Sequence, residues 1–142
     1  MAYFVWADDM AIDNGPIDQD HQNLVAQVNQ LHTATMDGRG HEMVEVLLQA
    51  LIHDTVEHIR REEHFMVRIG YPRLAPHQAD HARFEGELRA LQRQFEAGGI
   101  TVAAQLSRLL RDWLSLHIRR YDKDIMTFMR QQKPVHRLRI PT

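Results

Sequence analysis

Six polar side chains stand where a helical chain should carry only apolar ones, and this constrains the fold more than any other feature. His58 and Glu62 lie one helical turn apart within the stripe Val44, Leu48, Leu51, Thr55, Phe65, Ile69. His77 and His81 repeat that spacing at the head of Phe84, Leu88, Leu91, Phe95. His21 opens the stripe Leu24, Val28, Leu31, and His117 closes Leu106, Leu109, Trp113. The stripes ask for helices, because apolar residues recur at intervals of three and four over segments too long for strands. A buried carboxylate or unpaired imidazole is expensive unless something compensates it. Any fold that buries all four stripes must give these six groups a common partner, and a metal centre in the core is the economical one.

The chain's punctuation sets the architecture. Asn14-Gly15-Pro16 ends an N-terminal arm, and loops follow at Asp37-Gly38-Arg39-Gly40, Gly70-Tyr71-Pro72 and Gly98-Gly99. Helices are expected over residues 18–36, 42–69, 74–97 and 101–131. Asp18 is the expected N-cap of the first and Thr101 of the last. Pro76 falls in the opening turn of the third, where its missing N–H costs nothing. Short loops make sequential helices antiparallel, so the fold class is all-α, an up-down-up-down four-helix bundle. Residues 1–142 form one domain: an arm over 1–17, the bundle over 18–131 and a basic tail over 132–142. Phe4, Trp6, Met10 and Ile12 make the arm apolar enough to dock as an ordered cover.

Composition removes whole classes of function. Lys plus Arg number 17 and Asp plus Glu 19, for a formal charge of -2, which leaves no nucleic-acid footprint. The tail residues Arg130, Lys133, Arg137 and Arg139 read as a solvated run. Cysteine is absent, which excludes disulfides, thiolate nucleophiles, iron–sulfur clusters and Cys-type zinc sites. No apolar run approaches the ~18 residues of a membrane span. The opening residues lack a basic signal-peptide n-region, so a soluble cytoplasmic protein, without membrane insertion and monomeric, is expected.

Any metal must then be held by His, Asp or Glu. Each i, i+4 pair places two donors on one face, about 6 Å apart along the helix. In an up-down bundle the start of the first helix, end of the second, start of the third and end of the fourth all meet at one end. Asp122 is harder to place: five residues past His117 is about 500° of rotation, onto the adjacent stripe of Ile118, Ile125 and Met129. A local distortion of the helix would bring it inward. Five imidazoles and two carboxylates exceed the four ligands of a tetrahedral zinc. They suit two metals sharing Glu62, Asp122 and one solvent oxygen, with histidines divided three and two, so that one metal keeps a vacancy. Imidazole and carboxylate accept iron, zinc, copper or manganese, and ligand type does not choose among them.

The chain resembles the single-domain bacteriohemerythrins of the hemerythrin family. The resemblance rests on Trp6, Ile17-Asp18-x-x-His21, His58-x-x-x-Glu62-Glu63, Met66, Gly70-Tyr71-Pro72, His77-x-x-x-His81-x-x-Phe84 and Trp113-Leu114-x-x-His117-x-x-x-x-Asp122. It implies two iron ions with an oxo or hydroxo bridge. His77, His81 and His117 would hold the saturated iron, His21 and His58 the open one, and Glu62 and Asp122 would bridge them. It implies reversible binding of dioxygen at the open iron, for storage, delivery to an oxygen-consuming recipient protein, or sensing. The oxygen pocket implied by the resemblance comprises Leu24, Ile59, Trp113, Leu114 and Ile118.

Three positions depart from the family's usual pattern. Ile59 replaces a Phe, Asp54 a Tyr, and Asp20 a Gln expected to bear on His21. The remaining histidines are expected outside the site: His53 and His64 solvated, His41 in a loop, His136 in the tail, His32 structural. The competing reading is a di-iron oxidase or ferroxidase, or a hemerythrin-like protein handling nitric oxide or iron. Ferritin-like enzymes use Glu-x-x-His motifs. None occurs here, and the nitrogen-rich donor set favours ligand binding over oxygen cleavage, so the chain is read as a carrier and not an enzyme.

Overall fold

The computed structural model describes residues 3–99 and 101–139, with side chains as far as residue 132. Helix α1 spans Pro16–Met36, α2 His41–Arg68, α3 Leu74–Glu96 and α4 Val102–His117. A π-helical turn over Ile118–Asp122 leads without a break into α5, Lys123–Arg139, so α4 and α5 form one bent-register rod. Helix α1 packs on α2 and α4, and α3 on α2 and α4, which closes a four-rod square. There is no strand among the described residues. The last rod runs past the expected end at 131 to Arg139; His136 and the basic residues beyond 132 have side chains outside the described set.

Each rod buries the stripe that its spacing marks. Leu24, Val28 and Leu31 of α1 meet Leu48, Leu51 and Ile52 of α2, Phe84 and Leu88 of α3, and Leu106, Leu110 and Leu114 of α4 in one continuous core. Phe4, Met10 and Ile12 of the arm are buried in that core, and Trp6 packs against it. Asn29 grips Phe4 at both backbone groups, accepting from its N–H and donating to its carbonyl, each at 2.8 Å. The arm also ties to the π turn: Arg119 bonds Asp9 at 2.8 Å, and Lys123 donates to the Ala11 carbonyl at 2.9 Å.

The helix ends differ from expectation in instructive ways. Helix α1 starts two residues earlier than expected, its N-cap position is Gly15, and Asp13 rather than Asp18 supplies the carboxylate for its first N–H groups. The Asp13 carboxylate accepts from the N–H groups of Ile17 and Asp18 at 3.0 and 3.1 Å. Asp18 points back instead, accepting from Ile12 and Asn14 at 2.7 and 2.9 Å, and so fixes the arm's approach. Thr101 precedes α4 but makes no side-chain cap. His41 begins α2 rather than lying in a loop, and its ring stacks on Phe95 at 4.5 Å.

One turn bears directly on the site. Gly70 follows α2 at φ +70°, a left-handed conformation that costs residues with a Cβ about 1–2 kcal/mol. It lets Gly70 N–H reach Val67 O at 3.1 Å and Tyr71 N–H reach Met66 O at 3.0 Å, closing the helix. Tyr71 then packs on Met66, Ile125 and Phe128, with its ring edge-on to His77 at 6.4 Å.

Candidate metal centre

All seven sequence-selected donors converge at one end of the bundle, and all are buried. They form two groups that share both acids: Glu62, His77, His81, His117 and Asp122 on one side, and His21, His58, Glu62 and Asp122 on the other. Within each group, ligating atoms lie within 4.8 Å of one another.

The acids divide their oxygens between the two sides. Glu62 Oε1 faces Nε2 of His77 at 2.9 Å, of His81 at 3.2 Å and of His117 at 3.7 Å. Asp122 Oδ1 lies 3.0 Å from His77 Nε2 and 3.1 Å from His117 Nε2. The other oxygens face the other pair: Glu62 Oε2 is 3.6 Å from His21 Nε2 and 3.4 Å from His58 Nε2, and Asp122 Oδ2 is 3.1 Å from His21 Nε2.

The π turn is what puts Asp122 there. An α-helix would carry it about 140° past His117. In the π turn the hydrogen bond spans five residues, as Lys123 N–H to Ile118 O, and the wider turn brings side chains five apart much closer to one face than an α-helix would. His117 and Asp122 thereby point at the same space.

These short contacts are not ordinary hydrogen bonds. Among the described residues, both oxygens of Glu62 and of Asp122, both nitrogens of His21 and Nδ1 of His77 have no hydrogen-bond partner despite full burial. Orphaned polar atoms at this density are rare in a folded core. The nitrogens on the larger side also crowd together: His117 Nε2 lies 2.9 Å from His77 Nε2 and 3.0 Å from His81 Nε2. Ligands about 2.1 Å from one ion and at right angles to one another would stand about 3.0 Å apart. Three imidazole nitrogens at that separation cannot all hold protons, but they can all face one cation. The donor set therefore fits two metal ions.

Carboxylates outside the ring fix which nitrogen faces inward. His81 Nδ1 pairs with Glu63 at 2.8 Å, His117 Nδ1 with Asp80 at 2.7 Å and His58 Nδ1 with Asp20 at 3.1 Å. Each such carboxylate accepts a hydrogen bond from Nδ1–H, which keeps the proton on Nδ1 and leaves the Nε2 lone pair for a metal. Asp20 thus serves His58 and not His21, a correction to the sequence reading; Arg61 holds it from outside at 2.9 Å. The His58 N–H, then Arg61, bring the Asp20 pKa down to about 2. Asp80, which also accepts from Trp113 Nε1 at 3.2 Å, was not singled out from sequence. Its only sequence signal is being an acid beside His81 on the inward half of α3.

Without metal, the acids and imidazoles of the site hold one another in their charged forms. Burial opposes ionisation of Glu62, yet the imidazoles of His117, His21, His58 and His77 hold its pKa well below the carboxylate range. Burial and the Glu62 charge both oppose ionisation of Asp122, and His117 and His21 still bring it down. Burial alone would lower the His21 ring, but Asp122 and Glu62 carry it up to about 10. The same contest ends at about 11 for His117. His58 and His77 also rise against burial, through Asp20 and Glu62 for the first and Asp122 and Glu62 for the second.

Residues 15–129 match the model of the hemerythrin HHE cation binding domain. The chain belongs to this family. It is 36% identical over 124 residues to bacteriohemerythrin of Methylococcus capsulatus, covering 87% of this chain and 94% of that protein. Bacteriohemerythrin of Pseudomonas aeruginosa is 33% identical over 122 residues, covering 86% of this chain and 78% of its own. A wild-type hemerythrin crystal structure superposes with a TM-score of 0.80 at 31% sequence identity, covering 89% of this chain and 97% of that one. This hemerythrin-family bundle has no helix, among its described residues, long and apolar enough to cross a membrane.

Of the pocket residues selected from sequence, Leu24, Ile59, Leu114 and Ile118 are buried in the main core. The contacts of Trp113 lie elsewhere. Its ring stacks on Phe84 at 3.8 Å and on His117 at 4.2 Å, and its Nε1 serves Asp80, all on the three-histidine side. His32 stacks on Tyr3 at 3.7 Å, and His53 and His64 are exposed, so none of the three joins the site. Asp54 accepts from Gln27 at 2.7 Å.

Proposed function

We propose that this chain is a non-haem di-iron protein that binds dioxygen reversibly, as the family resemblance implies. The observation that carries the reading is the unequal sharing of the two acids: three imidazoles on one side and two on the other, with every Nε2 turned inward. His77, His81 and His117 would hold one iron, His21 and His58 the other, with Glu62 and Asp122 between them. Reduced iron there would supply the electrons and the open position that dioxygen needs.

The protein's own residues supply direction and dryness. Glu63, Asp80 and Asp20 hold three of the five rings in the metal-facing tautomer. Leu24, Ile59, Leu114 and Ile118 are proposed to line the space for the ligand beside His21 and His58; all four are buried. Such a lining keeps water from the ligand and offers no acid or base to drive further chemistry. That favours carriage over oxidation of a substrate. We place the carrier in the cytoplasm as a monomer that supplies an oxygen-consuming partner; the absence of cysteine fits a reducing compartment.

The test is a gas cycle. Purified protein is reduced under argon, exposed to air and returned to argon while its visible spectrum and metal content are followed. A coloured form that appears and disappears over repeated cycles, with two irons per chain, is the expected result. Irreversible bleaching with turnover of an added substrate would make it an oxidase, and a colourless zinc protein would refute both readings.

A further inference from the structure

On the outer face of the three-histidine side, a cleft of about 440 Å³ opens between α3 and α4. Arg83, Arg108 and Arg120 stand around it. Arg83 is 70% exposed and leans on Asp80; Arg108 and Arg120 are exposed and have no ion pair among the described residues. The one acid on the outer rim, Asp112, is already bonded to Arg111 at 2.9 Å. On a chain whose formal charge is -2, this is a local excess of positive charge. Between the arginines the surface is apolar, with Leu116 59% exposed.

The floor of the cleft touches a proposed metal ligand. Trp113 is half-buried and stacks on the His117 ring at 4.2 Å, with planes 18° apart. Tyr121 stacks on the same ring at 5.2 Å and 19°. Asp80 accepts from both Trp113 Nε1 and His117 Nδ1, which locks the two rings together. Conjugated rings therefore run from solvent to the metal ligand, inside a basic rim with an apolar centre.

We propose that this cleft, formed by Arg83, Arg108, Arg120, Leu116, Tyr121 and Trp113, docks an acidic one-electron donor protein that re-reduces the oxidised metal pair through the His117 ring. The proposal rests on the di-iron reading above. A carrier that depends on ferrous ions loses function whenever both become ferric, and two electrons restore it. With a flavoprotein as that donor, each flavin hydroquinone anion gives up one electron and becomes a neutral semiquinone, and one ferric ion becomes ferrous. Two donor molecules complete the return, and no bond is made or broken between the partners.

A second basic face supplies the control. A groove of about 760 Å³ beside His58 carries Arg60, Arg61 and Arg68. There Arg60 is engaged by Glu57, Arg61 by Asp20, and Arg68 lies over Phe65. His58 and Glu62 themselves line that groove, but no Trp or Tyr ring stacks on a proposed ligand there among the described residues.

The experiment uses full-length iron-loaded protein, a strongly acidic flavodoxin as probe, and dithionite as a small reductant. Flavodoxin affinity is read by calorimetry with oxidised flavodoxin, and the rate of reduction by stopped flow with its hydroquinone. Arg108→Glu/Arg120→Glu should weaken binding and slow the second-order rate by about tenfold or more at low salt. The equally charged control Arg60→Glu/Arg68→Glu should change neither. Trp113→Leu should lower the saturating rate severalfold, a readout that a change in docking affinity alone does not move. Equal effects of the two double variants, or none from the first, would overturn the docking face, and an unchanged saturating rate in Trp113→Leu would overturn the ring route. Dithionite should reduce every variant alike. Its failure to reduce any of them would instead overturn the di-iron reading, and this proposal with it.

Discussion

Around His77, His81 and His117 the neighbours are aromatic and polar: Trp113 and Tyr121 flank the His117 ring, Tyr71 and Tyr121 the His77 ring, and Glu63 and Asp80 accept from the Nδ1–H of His81 and His117. Around His21 and His58 the polar support is thinner. One carboxylate, Asp20, serves His58, and His21 has no outer partner among the described residues. The packing proposed for that side is aliphatic: Leu24, Ile59, Leu114 and Ile118. Directional bonds hold two of the three rings on the three-histidine side and aromatic rings flank His77, whereas aliphatic packing keeps a space dry without filling the coordination of what it encloses. One site thus combines a fixed half and a half able to accept a small neutral ligand.

The shared acids are where the comparison breaks most completely. Asp122→Ala or Glu62→Ala should take metal content from two ions per chain to one or none, because each acid serves both halves. Metal analysis after iron loading checks it, and two tightly held ions in either variant would contradict the sharing.

Leu114→Ala tests the second half alone. Truncating a fully buried leucine should cost about 2–5 kcal/mol in unfolding free energy. Oxygen release should also quicken, while metal content stays at two. If stability falls and the off-rate stays put, Leu114 is packing only.

Removing metal tests whether protons then replace cations in both halves. His21 sits at about 10 and His117 at about 11, above the ordinary imidazole value near ~6.5. Raised rings of this kind stabilise the fold fully below about pH 6.5, and the contribution drains away as pH climbs through their folded values. Glu62 and Asp122, depressed, run the other way: their contribution is present above roughly pH 4.5 and is lost on acidification. Melting temperature of the metal-free protein, followed by circular dichroism, should therefore peak at weakly acidic pH and fall towards pH 10. The loaded protein should lack that alkaline decline, because its bound Nε2 atoms carry no proton.

Ile59→Phe is expected to give the smallest effect, restoring the ring usual in the family beside His58. Autoxidation and azide entry should slow, with stability little changed; equal rates in the two proteins would reject a role for Ile59 in access.

Much of this was legible in the chain. His58/Glu62 and His77/His81 interrupt apolar stripes at one-turn spacing, and helical periodicity alone places them inward and at one end. The bundle followed from the same stripes and from glycine-marked loops. Asp122 was the limit, since helical periodicity turns it away from His117 and only the π turn returns it; nothing in Ile118-Arg119-Arg120-Tyr121 announces that turn. The outer carboxylates were less visible because they act across helices. Asp20 adjoins His21 in sequence yet bonds His58, and Asp80 adjoins His81 yet bonds His117. The same lack of pairwise information misplaced the cap of α1: Asp18 turns back to the arm, and the Asp13 carboxylate meets the first N–H groups instead.

The most direct test is crystallography of the iron-loaded protein with anomalous scattering at the iron edge. Two peaks are predicted between Glu62 and Asp122, one against His77, His81 and His117 and the other against His21 and His58. A single peak, or density for one ion held by only one of the two histidine groups, would contradict the shared-carboxylate centre.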